Sequence, residues 1–137
     1  GTARYGSGVF TGEVYTDTIN VGGTGATAVA TTGDFNNNIA FTTLNITAGT
    51  DDSSNDDEHA TATASGNLTG TTIALVDAAD DGTSTLTIDG SAAQTISAAI
   101  TASADTLGNI SVTNTGGTVT FSSTIGSASG NKAVGGV

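Results

Sequence analysis

The chain contains no cysteine, no proline, no methionine and no tryptophan. Without cysteine it has neither a disulfide framework nor a thiolate metal site. Without proline no strand is barred from the middle of a sheet. Basic residues are almost missing: Arg4 and Lys132 stand against 13 acidic residues, for a formal net charge of −11. That balance argues against nucleic acid and against an anionic membrane surface, since both demand clustered Lys and Arg. No apolar run approaches the ~20 residues of a membrane helix, so membrane insertion is not expected. A sequence that opens GTARYGSG, with no initiator Met and no signal peptide, is expected to be a mature or excised product.

What is present is monotonous. The 137 residues include 28 threonines and 20 glycines, and the apolar share is 36%, much of it alanine. Aromatics contribute 4%, so any core must be thin and filled by small side chains. One domain over 1–137 is the natural size. From Gly82 to Gly126 four apolar runs follow one another: Leu86/Ile88, Ile96/Ile100, Ile110/Val112 and Val119/Phe121. In three of them the apolar residues sit two apart, the strand period, and each run is followed by a Gly, Asn, Asp or Ser cluster. No stretch carries a helical period.

The same recipe recurs upstream. Gly12 to Gly22, Gly33 to Ile46 and Gly66 to Val76 each read as Gly, an acidic or amide residue, one apolar residue, a polar spacer, then Thr and an alternating strand. Their spacing gives a period of roughly 20 to 33 residues with irregular insertions, which predicts an all-β chain built as a β-solenoid. In that parallel β-helix-like fold, like residues of successive short Thr/Gly-rich coils meet in rows. A β-sandwich of seven to nine strands is the alternative that the turn spacing also permits. Ala60 to Ser65 alternates small and polar residues and is expected as a weak strand packed close to a neighbour.

Candidate sites are few. The insertion over 49–59, expected as an exposed acidic loop, holds Asp51, Asp52, Asp56, Asp57 and Glu58. Crowded carboxylates suit a hard cation, so these are candidate Ca²⁺ ligands, although the EF-hand spacing and the Gly-Gly-x-Gly-x-Asp nonapeptide are both missing. Asp77, Asp80 and Asp81 before Gly82 form a second candidate set, with Asp-Gly doubling as a turn signal. A solvated face is the competing reading of both. No other cofactor is indicated. His59 is the single histidine and lies in the acidic insertion, so it is not expected to serve a catalytic triad. Tyr5 and Tyr15 are the only tyrosines, too few aromatic platforms for sugar processing. The sequons at Asn45, Asn67 and Asn109 are within what chance supplies to an Asn/Thr-rich chain. No enzyme is expected.

The ends read together. Val119 to Val137 followed by Gly1 to Val21 would make one more turn-and-strand unit, and a solenoid without caps offers strand edges to another subunit. The phrases Thr85-Leu-Thr-Ile-Asp-Gly-Ser-Ala-Ala-Gln-Thr-Ile96, Asp105 to Asn114, Gly117-Thr-Val-Thr-Phe121 and Ile125-Gly126 resemble the β-strand repeats of large bacterial surface proteins, the giant secreted adhesins and S-layer-like proteins. The resemblance implies an extracellular, cell-surface, repetitive component. The expected function is a structural subunit that joins copies of itself head to tail into a filament, fibre or layer. The alternatives are an adhesin repeat that contacts a host or glycan ligand through its loops, and a β-sandwich subunit polymerised by strand donation.

Overall fold

A computed structural model of the chain describes residues 3–4, 8–10, 17–22, 31–49, 59–77, 82–103, 107–126 and 134–136. Among them there is no helix, and the strands fall into three sheets. Sheet A runs β1 (Ala3–Arg4), β3 (Thr18–Gly22), β6 (Thr43–Thr47), β9 (Thr72–Val76) and β12 (Ala99–Ala102). Sheet B runs β2 (Gly8–Phe10), β4 (Thr31–Phe35), β7 (Ala60–Ala64), β10 (Ser84–Ile88), β13 (Leu107–Val112) and β15 (Val134–Gly136). Sheet C runs β5 (Ile39–Ala40), β8 (Leu68–Thr69), β11 (Gln94–Ile96) and β14 (Val119–Phe121).

Every pairing between these strands is parallel. From β4 onward the chain visits sheets B, C and A in a fixed rotation, which produces a β-solenoid with three complete coils, β4–β6, β7–β9 and β10–β12. The sandwich alternative is set aside, because sandwiches are built from antiparallel hairpins and Greek keys. Register offsets run from 24 residues, Ala60 to Ser84, to 29, Thr43 to Thr72, apart from a shorter first step of 16 from Ala3 to Ile19.

The register corrects the repeat read from the sequence. Its strand half is right: Thr18-Ile-Asn-Val21 lies on Thr43-Leu-Asn-Ile46, and that on Thr72-Ile-Ala-Leu75. Its leading glycines do not stack, since Gly33 pairs with Ala62 and not with Gly66. Gly66 sits instead against the backbone of Asn37 and Asn38, an approach that leaves no room for a Cβ. The Ala60 to Ser65 stretch provides β7, and its small alternate residues Ala60, Ala62 and Ala64 are fully buried between β4 and β10.

The core follows from alternation. Successive strand residues point to opposite faces, so every second residue enters the interior and meets its equivalent from the next coil. Ile19, Leu44, Ile73 and Ile100 form one such row in sheet A. Ile39, Leu68 and Ile96 form one in sheet C, and Phe35, Ala64 and Ile88 one in sheet B. All ten are buried. Threonine and asparagine take the outward positions, where Asn45 Nδ2 donates to Asn20 Oδ1 of the previous coil at 3.0 Å.

The corner between sheets B and C is braced by amides. Asn67 N–H donates to Asn38 Oδ1, and Thr95 N–H donates to Asn67 Oδ1, both at 2.8 Å. Gln94, 2% exposed, spans three coils from inside this corner. Its Nε2 donates to the carbonyls of Ala64 (2.9 Å) and Gly66 (2.8 Å), and its Oε1 accepts from Gly90 N–H (2.8 Å) and Asn114 Nδ2 (2.6 Å). All four bonding positions of the buried amide are therefore used.

The corner from sheet A to sheet B is where the chain inserts residues. The segments 23–30, 48–59, 77–83, 103–106 and 126–133 all leave sheet A and return to sheet B. Repeat proteins commonly gather their insertions on one side in this way.

Candidate functional site: the open end of the coil stack

Two places merit inspection: the sheet A to B corner, where the acidic candidates fall in the sequence, and the last levels of the stack, β13, β14 and Ile125 with β15 laid on β13.

At the corner, Asp77 directly follows β9 and holds two later strands. Its Oδ1 accepts from Ser84 N–H at the start of β10, and its Oδ2 accepts from Gly108 N–H in β13, each at 2.8 Å. Its backbone is tied to Ser103: Asp77 N–H donates to Ser103 Oγ (3.1 Å), and that hydroxyl donates to Asp77 O (3.2 Å). Each carboxylate oxygen thus holds a backbone N–H, which makes Asp77 a brace across three coils. Asp51, Asp52, Asp56, Asp57, Glu58, Asp80 and Asp81 lie outside the described residues. Among the described residues no three His, Cys, Asp or Glu side chains gather as a metal-binding group. The carbonyl of His59 accepts from Thr31 N–H at 2.9 Å, and its Nδ1 is buried with no hydrogen-bond partner among the described residues. Nothing described here pairs a nucleophile with a base.

The end of the stack is different in kind. One interior row of each sheet stays closed through the complete coils and then opens, while the sheet B row of Ala62, Leu86 and Ile110 stays buried to its last member. In sheet A, Ile100 is fully buried, but its bridge partner Ile125 is 40% exposed. In sheet B, Ile88 is fully buried, but its partner Val112 is 47% exposed. In sheet C, Ile96 is fully buried, but its partner Phe121 is only half-buried, as is Val119 beside it. Val112 and Ile125 are the exposed large hydrophobic residues among the described part of the chain. They are no random surface scatter, because both are the last members of rows that are otherwise dry.

The edges agree with the rows. β14 has β11 as its one neighbour and β15 has β13, so both present an unpaired backbone edge, and Ile125 occupies the same level in sheet A. At the opposite end β1, β2 and β5 are the edge strands of the three sheets. An unpaired edge is a template for a further strand. Since every sheet is parallel, the edge at one end differs from the edge at the other, and the two are complementary in direction.

Comparison with protein-family models, with curated proteins and with solved structures gives no match. The geometry therefore carries the functional reading by itself.

The sequence pointed to the two ends and to the acidic insertions. It missed Gln94, Asn38 and Asn67 as corner braces. Asn38 and Asn67 stand 29 residues apart, the same offset as Thr43 and Thr72, so anchoring the repeat on its strands would have revealed them.

Proposed function

We propose that this protein is a non-enzymatic structural subunit whose coil stack is continued, end to end, by a second copy of itself. The observation that carries the reading is the opening of one interior row in each of the three sheets at one level, on Val112, Phe121 and Ile125. The occupant that fits is the opposite end of an identical solenoid. It brings parallel strands in the same three-sheet arrangement, and its direction is the one that each edge requires. Such a contact is heterologous, joining unlike ends, so it does not close on itself and builds a filament.

Magnitudes indicate what the joint needs. Fully burying one Val, Ile or Phe side chain is worth about 1.5–3 kcal/mol. Val112, Val119, Phe121 and Ile125 are already partly covered, so together they offer roughly 4 kcal/mol. Association loses about 4–15 kcal/mol of translational and rotational freedom. Side chains alone fall short, and main-chain hydrogen bonds along three edge strands, at about 1 kcal/mol each, must supply the remainder. The joint therefore depends on strand register and not merely on stickiness.

An extracellular, cell-surface setting, as filament, fibre or layer, agrees with the resemblance to bacterial surface repeats and with the acidic, threonine-rich exterior. Adhesion through the loops remains a separate reading that no described contact favours.

The test is electron microscopy of the purified protein beside the Val112→Lys/Ile125→Lys double variant. Both positions are exposed, so the variant is expected to fold, and far-UV circular dichroism checks that it does. Filaments from the parent and single particles from the variant are expected. Deletion of residues 1–10, which removes β1 and β2, is expected to abolish filaments as well. Filaments that survive both changes would refute end-to-end joining.

A further inference from the structure

Two Asp-Gly pairs occur in the chain, Asp81–Gly82 and Asp89–Gly90, and the second lies wholly within the described residues. It opens the passage from β10 to β11, one residue past the stacked pair Ala64 and Ile88. An aspartate followed by glycine is a reactive pair in an unconstrained chain. The glycine backbone turns freely and carries no Cβ, so its nitrogen reaches the carboxyl carbon of the aspartate and closes a five-membered succinimide ring. The bond from the Gly nitrogen to the Asp Cγ forms and a Cγ–O bond breaks. The oxygen leaves as water, with the amide hydrogen and one proton from solvent. Water then opens the ring. Attack at Cγ restores aspartate; attack at the former main-chain carbonyl gives isoaspartate, whose chain runs through Cβ and Cγ and is one atom longer. Water is the only reagent, and the net change is an isomerisation.

The fold treats the two reacting groups differently. Asp89 is exposed, and its Oδ1 accepts from Ser65 Oγ of the preceding coil at 2.8 Å. Gly90 is buried, and its N–H donates to Gln94 Oε1 at 2.8 Å. The peptide between them is pinned on both sides: Asp89 N–H donates to Ala64 O at 3.0 Å, and Gly90 O accepts from Thr115 N–H at 3.1 Å. The carboxyl group is thus open to water while the attacking nitrogen is engaged. A larger residue at position 90 is no remedy, because a Cβ there would collide with Gln94 Oε1 and Ser65 O. The close approach that lets Gln94 hold this corner is what requires the reactive pair.

We propose that Asp89–Gly90 is a latent isoaspartate site and that Gln94 is the residue that keeps it closed. Ring closure requires Gly90 N–H to leave Gln94 Oε1 and turn toward Asp89 Cγ. That movement opens the corner in which Gln94 also holds Ala64 O, Gly66 O and Asn114 Nδ2. A reaction that needs local opening proceeds in proportion to the population of the open form. The product keeps its mass and charge, but the path from Ile88, paired with Ala64, to Ile96, paired with Leu68, is lengthened by one main-chain atom. The Gln94 corner has no slack for that atom, so modification leaves it permanently loosened.

The experiment is timed peptide mapping of protein held at constant pH and temperature, with electron-based fragmentation to tell isoaspartate from aspartate at position 89. The folded parent is compared with the same chain unfolded in guanidinium chloride, and with Gln94→Glu and Gln94→Met. Both variants lose the Nε2 donor and loosen the corner, and circular dichroism checks that each is folded. Gln94→Met also loses the acceptor for Gly90 N–H, which Gln94→Glu retains. Isoaspartate is expected to form about tenfold more slowly, or slower still, in the folded parent than in the unfolded chain. It is expected to form several-fold faster in Gln94→Met than in Gln94→Glu. Equal rates in the folded and unfolded parent would overturn the protected site, and equal rates in the two folded variants would overturn the role of Gln94. A second measurement needs no variant: the Gly90 amide of the parent is expected to exchange its hydrogen slowly. Exchange at the rate of an unprotected amide would overturn the hold of Gln94 on the nitrogen, even if Gln94→Met does not fold.

Discussion

Replacing Gln94 by Glu removes no volume and tests the corner network by charge and donor count alone. Gln94 Nε2 donates to two carbonyls, the buried Ala64 O at 2.9 Å and the half-buried Gly66 O at 2.8 Å. A carboxylate has no hydrogen to offer either of them. Ala64 O keeps the N–H of Asp89 at 3.0 Å, so the carboxylate leaves Gly66 O as the acceptor that loses this partner, at about 1–3 kcal/mol, and adds its own repulsion from both carbonyl oxygens, for a predicted loss of roughly 3 kcal/mol near neutral pH. The other side of the network survives, because an oxygen can still accept from Gly90 N–H and Asn114 Nδ2. Protonating the new carboxyl restores one donor and one of the two bonds. Burial beside two carbonyl oxygens raises its folded pKa above the unfolded value of about 4.3. A raised folded value means that stability is present below the unfolded pKa and is lost as pH rises through the folded one. The variant's deficit, measured against the parent at each pH, should therefore be smaller at pH 5 than at pH 8, by about the worth of one buried hydrogen bond. Guanidinium unfolding followed by circular dichroism measures it, with the slopes compared to confirm that the transition is alike in both chains. A deficit under about 1 kcal/mol, or one equal at both pH values, would refute the network as described.

Position within a row should decide the effect of truncation. Ile73→Ala, in a central coil and fully buried, is expected to lose about 2–5 kcal/mol. Ile125→Ala, at the open end, is expected to lose under about 1 kcal/mol in the isolated subunit; equal losses by thermal unfolding would contradict the row description. Ser84 is fully buried, and its Oγ has no hydrogen-bond partner among the described residues. Since an unpaired buried hydroxyl is unfavourable by about 1–3 kcal/mol, Ser84→Ala should leave stability unchanged or raise it. A clear loss would show that the hydroxyl has a partner.

Much of the fold was legible because a solenoid writes its geometry locally. Leu86/Ile88 and Ile110/Val112 alternate within single strands, and the structure stacks them as β10 on β13. Ile96 and Ile100, four apart, break that period for a physical reason: they belong to different strands, β11 and β12, on either side of a corner. The glycines misled the repeat reading. A glycine answers to what approaches its own backbone and not to a place in the repeat, as at Gly22, whose φ of 80° and contact with Thr47 O leave no space for a side chain. Its counterpart one coil on is Thr47 itself.

The amino-acid sequence determined the class of the protein. Period-two alternation, turn residues at short intervals and the lack of any helical pattern leave only stacked or packed strands, and the scarcity of large side chains keeps their core thin. The charge, and with it the expectation that nucleic acid is no partner, is also a property of composition. What the sequence could not decide is which residues meet across 24 to 29 positions, since that depends on the register of each coil upon the last. Register alone makes Asp77 a brace, places Gln94 between three coils and brings the insertions to one corner. It also makes Val112 and Ile125 the last members of open rows: their exposure is fixed by what lies on top of them, and no local pattern records that.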